Sequence, residues 1–378
     1  MIEKQIQKLN QKVGEAIYLS ALKDIASGRT GSARPGALLW TLSALVVASP
    51  FVLAILGLVF LLLDFPNLIT IVLGVVFLGL GWMLRPRKNQ MPEGAIDRKT
   101  LPETFALLDA ISAHLGAPKV SKVVLNSEFN AFATEVRQDT VVGIGAMLWL
   151  GMSPEQRLAV LGHELGHLAN RDVRRMSLPH RALIVLEAWH DLVSRDHYVD
   201  EYTGTVERES HGLMADLFSG VLGGAVEALM LLILKLHFAE AQKAEYLADV
   251  SAVKVAGQGA NSSAFDRFLR FEASEAKRSG ILPRKDETGF AFLNRLAATV
   301  DQLSEQEATR ALTKHHAEKL SLDTTHPPTA YRQAFVNGLP EALVGVPLTF
   351  ENWAAVDAEL QGHFNKIGER EIVANEVQ

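Results

Sequence analysis

From Ala37 to Leu63 the chain carries no charged residue, and Leu, Val, Ile, Phe and Ala dominate. A second apolar run extends from Phe65 to Leu84. Each reaches the ~20 residues a helix needs to cross the hydrocarbon layer of a membrane. Only Asp64 separates them, with Pro66 and Asn67 just after it. The pair reads as a tight transmembrane hairpin over 37–84. Two runs this long and this apolar are hard to hide inside a modest soluble domain. They also help to explain why 48% of the 378 residues are hydrophobic.

The flanking charges give an orientation. Arg29 and Arg34 precede the first run, and Arg85, Arg87 and Lys88 follow the second. The turn between them has no Lys or Arg, so both ends are expected in the cytoplasm, at an inner or plasma membrane. The first span begins too far from Met1, behind too charged a leader, to read as a cleaved signal peptide. Within residues 1–36, Ile2, Ile6, Leu9, Val13 and Ile17 recur at helical spacing with lysines between them. That pattern predicts an amphipathic helix lying on the domain or on the membrane surface. There are no cysteines, which removes disulfides and thiolate metal ligands. The net charge of −6 is mild and gives no reason to expect nucleic acid.

The residues that carry chemistry begin at His163-Glu164-Leu165-Gly166-His167. On a helix, positions i and i+4 share a face, so both imidazoles can reach one metal ion. Glu164 then sits beside the metal's open position, where a general base on water is needed. The local sequence supports a helix. Ser153 is placed to cap it, Pro154 suits its first position, and Gln156 is placed to close a capping box. Leu158, Leu161, Leu165 and Leu168 follow at helical spacing. A catalytic zinc usually takes three protein ligands, so a third is expected downstream. Glu245 is the best candidate. Asp249, one turn on, is placed to accept a hydrogen bond from the non-ligating nitrogen of a histidine ligand.

With these residues in view, the chain resembles the membrane-associated zinc metallopeptidases typified by the heat-shock protease HtpX and the CAAX prenyl protease. Glu245-Tyr246-Leu247-Ala248-Asp249 fits the second motif of that family. Asn130-Ala131-Phe132-Ala133 fits a segment that often precedes the active-site helix. Thr325-His326-Pro327, followed by Arg332, fits a downstream motif. The resemblance covers residues about 120 to 335. It implies one Zn²⁺ held by His163, His167 and Glu245, with Glu164 as general base. It offers His326, Arg332 and Tyr331 as alternative donors to the oxyanion, and His326 alternatively as a metal ligand when no substrate is bound. It implies that polypeptide substrates bind along a sheet edge, for which Asn130 to Thr134, with Asn130, Ala131 and Phe132 foremost, is the candidate.

The expected fold is mainly α with a small β-sheet, a zincin-like metallopeptidase domain behind an N-terminal transmembrane hairpin. The expected divisions are 1–36, 37–84, 89–340 and a helical tail at 341–378, helix-prone to about Asn365. Residues 89–100 read as a linker, 101–115 as a helix, and Lys122–Asn126 and Thr140–Ile144 as strands. Leu217–Leu236 is also apolar, but it holds Glu227 and Lys235. Glu245 must meet the histidines on one side of the membrane, so an even number of crossings must separate them. The only partner run, Leu183–Val193, carries Glu187, His190 and Asp191 and makes a poor span. Neither stretch is therefore expected to cross. The charged, aromatic stretch from Asp196 to Tyr202 reads as a loop near the cleft. A helix 163–167 inside the bilayer is implausible, because Asn170, Arg171, Asp172, Arg174 and Arg175 follow at once. The expected function is proteolysis of membrane or membrane-proximal polypeptides, with quality control as the suggested setting. The alternative is a membrane-anchored scaffold with a vestigial zinc site. Oligomeric state is left open.

Overall fold

The computed structural model describes residues 2–27, 36–63, 65–86, 90–193, 198–199, 206–207, 213–320 and 326–376. Arg29, Arg34, Asp64, Arg87, Lys88 and Thr325, and most of the stretch from Asp196 to Tyr202, lie outside them. The chain divides into two compact units. One comprises Met1–Ala33, Asn89–Val173 and Ala241–Gln378; the other comprises Arg34–Lys88 and Arg174–Glu240.

The first unit holds the helix α1 (Ile2–Ala26) and a mixed sheet with its covering helices. The sheet strands are β1 (Ile96–Asp97), β2 (Lys122–Asn126), β3 (Ala131–Val136) and β4 (Asp139–Gly145), in the spatial order β1-β2-β4-β3. β2 and β4 run parallel, and β3 returns antiparallel to β4, so β3 is an edge strand. A helix α2 (Ala37–Leu63) and a helix α3 (Leu68–Met83) belong to the other unit. α4 (Pro102–Leu115) covers the sheet with α5 (Ala146–Gly151) and α6 (Pro154–Ala169). Leu107, Leu108 and Ile111 of α4 meet Val123 and Val142 of the sheet and Leu161 and Leu165 of α6 in one core. The capping box predicted at Ser153 is present, with Ser153 N–H donating to Gln156 Oε1 at 2.9 Å.

α7 (Asp172–Val193) and α8 (Leu213–Ala256) run through both divisions. Two short strands, β5 (Tyr198–Val199) and β6 (Val206–Glu207), pair between them. Then come α9 (Gln258–Ala273), α10 (Glu275–Arg278), α11 (Gly289–Ala297), α12 (Glu305–His316), α13 (Thr329–Asn337), α14 (Glu341–Val344) and α15 (Trp353–Glu376).

Several expectations need correction. The C-terminal tail is no separate appendage, and it stays helical past Asn365. Val356, Leu360 and Phe364 of α15 are buried in the core of the sheet-bearing unit. Its Glu359 accepts hydrogen bonds from the backbone N–H groups of Glu103 and Thr104, at 3.0 and 2.8 Å. The first turn of α4 has no cap of its own, because Leu101 precedes it, so a side chain from the far end of the chain supplies one. The linker 89–100 contains β1, whose Ile96 pairs with Val123.

The expected hairpin is also unequal. α2 has 27 residues, whereas Asn67 caps α3, which has only 16. At 1.5 Å per residue that is about 24 Å, short of the ~30 Å hydrocarbon layer. By contrast α8 contains a stretch, within Gly220–Ala256, that is long and apolar enough to cross, and only 6% of it is buried. The low burial speaks against a buried helix for Leu217–Leu236, whereas its length and apolarity suit a membrane-resting segment as well as a crossing one. A crossing by α8 would place the parity requirement on α7. In the second unit Ala182, Val185 and Leu186 of α7 pack with Leu39 and Val46 of α2 and Ile233 of α8, and Trp189 donates to Ser49 at 3.1 Å. Residues 89–340 are therefore not one domain, since Arg174–Glu240 joins the apolar helices. Within that unit α2 and α3 touch through glycines: a Cβ on Gly57 would lie 2.8 Å from the carbonyl oxygen of Gly74.

Candidate metal centre

α6 presents His163, Glu164 and His167, and the segment of α8 after Ala241 presents Glu245 and Asp249. Glycines on α6 let the two helices approach. A Cβ added to Gly166 would lie 2.6 Å from Ser251 Cβ, and one on Gly162 would lie 2.9 Å from Val255 Cβ. Gly162 and Gly166 are one turn apart, so they form a groove on the face that meets α8. Ala248, Ser251 and Ala252 are the small residues that fill it.

The result is a close triad. His163 Nε2 and His167 Nε2 are 3.2 Å apart. His163 Nε2 lies 3.5 Å from Glu245 Oε2, and His167 Nε2 lies 3.6 Å from Glu245 Oε1. A tetrahedral zinc site with bonds of about 2.0–2.2 Å has ligand atoms about 3.3–3.6 Å apart, so these residues fit the ion. The outer ring nitrogens point to the same conclusion. Asp249 Oδ1 is 3.0 Å from His163 Nδ1, and Asp172 Oδ2 is 3.3 Å from His167 Nδ1. An ionised carboxylate only accepts, so with a cation in the triad each Nδ1 would carry the proton and each Nε2 lone pair would face the ion. Glu245 Oε2 is buried and accepts no well-formed hydrogen bond among the described residues, although His326 Nδ1 and Arg332 Nη1 approach it to 3.0 and 3.3 Å. His163, His167 and Glu245 together could hold a cation.

The electrostatics agree. Burial opposes a charge on His163, yet the carboxylates of Asp249 and Glu245 beside it carry its pKa up to about 10. The acids around His163 thus favour a positive charge at this point, whether a proton or a cation. Burial pushes the carboxyl of Glu164 above its ordinary range, against the pull of His163 and His167. Glu164 Oε2 accepts the N–H of Ala133 at 3.1 Å. Glu164 is thus held by the backbone of the edge strand.

Arg332 binds Asp249 through two nitrogens, Nε to Oδ2 at 2.9 Å and Nη2 to Oδ1 at 2.6 Å. Its Nη2 is also 3.3 Å from His163 Nδ1. Burial works against its charge, but Asp249 and Glu245 more than offset that. His326 is 67% exposed in its side chain, and its Nδ1 lies 3.0 Å from Glu245 Oε2. A cavity of ≈ 220 Å³ opens on Glu164, between Asn130 and an apolar wall that includes Val160, Phe265 and Phe268.

Of the three residues expected to meet substrate, Asn130 lines this cavity. Ala131 is buried at the start of β3 beneath α6, in a cluster with Ala159 and Val160. The ring of Phe132 lies across Gly143 with Val124 and Val136, on the other face of the sheet. Tyr331 turns its ring to Tyr18 instead, with centroids 5.6 Å apart. Asp172 was missed by the sequence reading, which used it only as a charge outside lipid. A signal was available. It stands five residues after His167, just past Arg171, whose φ of 59° turns the chain from α6 into α7.

Comparison with known proteins points the same way. The profile of peptidase family M48 matches residues 102–339. A protease HtpX homolog of Pyrobaculum calidifontis is 27% identical over 249 residues, which cover 63% of this chain and 68% of that protein. Protease HtpX of Shewanella baltica is 28% identical over 186 residues, covering 47% of this chain and 61% of its own length. A protease HtpX homolog of Polaromonas naphthalenivorans is 37% identical over a shorter segment of 98 residues, 32% of its length. No solved structure matches significantly.

Proposed function

Because this chain belongs to peptidase family M48 and is a metalloprotease, we propose that it is a membrane-anchored endopeptidase that uses one zinc ion and takes Glu164 as its general base. The observation that carries this reading is the triad of His163, His167 and Glu245, with donor atoms 3.2 to 3.6 Å apart. Zinc, when bound there, supplies a Lewis acid that acidifies water and polarises a carbonyl.

The remaining work falls to side chains and backbone. Glu164 takes the proton of the attacking water and hands it to the leaving amine. Its burial raises its proton affinity towards the operating pH, which suits a base. The Ala133 N–H fixes one carboxylate oxygen and leaves Oε1 for the proton. Asp249 and Asp172 hold the two imidazoles in the tautomer that ligates. Arg332 and His326, both beside Glu245, are the donors for the oxyanion as it develops. Substrate lies along the outer edge of β3 as an added strand, entering at Asn130. The apolar helices anchor the chain in the bilayer with the metal centre on the cytoplasmic side. The substrates that fit this arrangement are membrane or membrane-proximal polypeptides that have lost their fold, which is the chemistry of quality control.

The test uses purified full-length protein on an unfolded polypeptide. Glu164→Gln should retain zinc and lower kcat by about 10²–10⁴, the usual worth of a positioned base. Chelation should abolish cleavage, and zinc should restore it. Proteolysis that persists in Glu164→Gln would refute the mechanism. A cellular phenotype that persists would favour a scaffold role.

A further inference from the structure

The family profile begins at residue 102, so α1 lies outside it, yet α1 packs in the same unit as the metal centre. Ile17 and Ile25 of α1 are buried at 6% and 4% exposure. Between them Tyr18 enters an aromatic cluster. Its ring centroid is 5.6 Å from Tyr331, 5.7 Å from Tyr246 and 6.5 Å from Phe335. Tyr246 and Phe335 are themselves 4.7 Å apart. Tyr246 is the chain neighbour of the ligand Glu245, and Tyr331 is the chain neighbour of Arg332.

α13 needs such support. It has nine residues, too few to hold a helix by themselves, and Pro328 gives it no side-chain cap. Its C-terminal end is tied by Gln258, whose Nε2 donates to the carbonyls of Val336 and Leu339 at 3.0 and 3.4 Å, and by Ser262, whose hydroxyl donates to Asn337 Oδ1 at 3.2 Å. Its N-terminal turn carries Arg332, which aims at Asp249, Glu245 and His163. On that turn the ring of Tyr331 rests edge-on against Tyr18.

We propose that Tyr18 is a positioning residue for the peptidase reaction, holding the first turn of α13 so that Arg332 stays locked to Asp249 and, through it, to His163. This rests on the zinc peptidase reading above. An aromatic contact of this kind acts through shape, so the ring is needed and the hydroxyl is not.

The experiment compares Tyr18→Ala, Tyr18→Phe and Ile25→Ala in full-length protein. Zinc affinity is read by competition with a chromogenic chelator, kcat and KM on an unfolded polypeptide, and Tm by thermal unfolding. Tyr18→Ala should weaken zinc and lower kcat by about tenfold each, the lower range for loss of an outer support of a metal ligand, with KM little changed. Tyr18→Phe should restore both. Ile25→Ala, two turns along the same buried face, should lower Tm while zinc affinity and kcat hold. The proposal is overturned if Tyr18→Ala keeps both zinc affinity and kcat, or if Ile25→Ala loses them equally at the same Tm. If wild-type protein cleaves nothing, the peptidase reading fails, and the zinc comparison still decides the role of Tyr18.

Discussion

Asp172 Oδ2 stands 3.3 Å from Nδ1 of His167, although the two residues lie on different helices. The contact depends on the sharp reversal at Arg171, which ends α6 and starts α7 with a buried carboxylate under the ring. His163 has its own support in Asp249. Each imidazole is therefore oriented by a separate acid.

Asp172→Asn keeps the shape of the side chain and removes its charge. Zinc affinity should fall about 10- to 100-fold, the usual loss when such a support is altered. Asp249→Asn should cost more, because Asp249 also anchors Arg332. Chelator competition on the two purified variants measures both. Unchanged affinity in Asp172→Asn would show that His167 needs no partner.

Gly166→Ala should separate α6 from α8. The new Cβ would lie 2.6 Å from Ser251 Cβ, and neither helix backbone can absorb that overlap cheaply. A loss of about 1–3 kcal/mol in stability is expected from overpacking. Zinc affinity should fall with it, because Glu245 rides on α8. Denaturant unfolding and zinc titration of the same preparation test this; a variant that loses neither would refute the close approach.

Glu359→Ala removes the distant cap of α4. Two backbone N–H groups and the hydroxyl of Thr104 lose their acceptor. The expected cost is about 1–2 kcal/mol, as for other helix caps. The metal centre should keep its zinc affinity, since α4 carries none of its ligands. Denaturation midpoints of the two proteins give the difference.

Glu307 gives a pH dependence with a definite sign. In the folded chain it accepts from the backbone and hydroxyl of Ser304 and pairs with Lys277, and its pKa falls to about 2. An unfolded glutamate titrates near ~4.3. A depressed folded pKa means that the stabilisation is fully present above the unfolded value and is lost as pH falls towards 2. Against Glu307→Gln, the wild type should be the more stable at pH 6, and the gap should close steadily below about pH 4. A gap that widens on acidification would contradict the assignment.

Local chemistry made much of this protein legible before any coordinates. His163, Glu164 and His167 were readable because i and i+4 on a helix is a fixed geometry. The cap at Ser153 and the strands β2 and β4 follow from residue types acting within a few positions. Glu245 and Asp249 were singled out by the likeness of their segment to the family's second motif, because two acids at i and i+4 are common on solvated helix faces. The tertiary structure decided matters that depend on which distant surfaces meet. Only packing puts Gly166 against Ser251, Glu359 at the start of α4, Tyr18 between α8 and α13, and the α7–α8 pair beside α2. Apolar length in a sequence says that a helix can lie in lipid or in a core, but its neighbours choose, and those neighbours are specified by shape complementarity across hundreds of residues. Spacing along a helix is a property of the chain itself, whereas a meeting of two faces belongs to the whole fold.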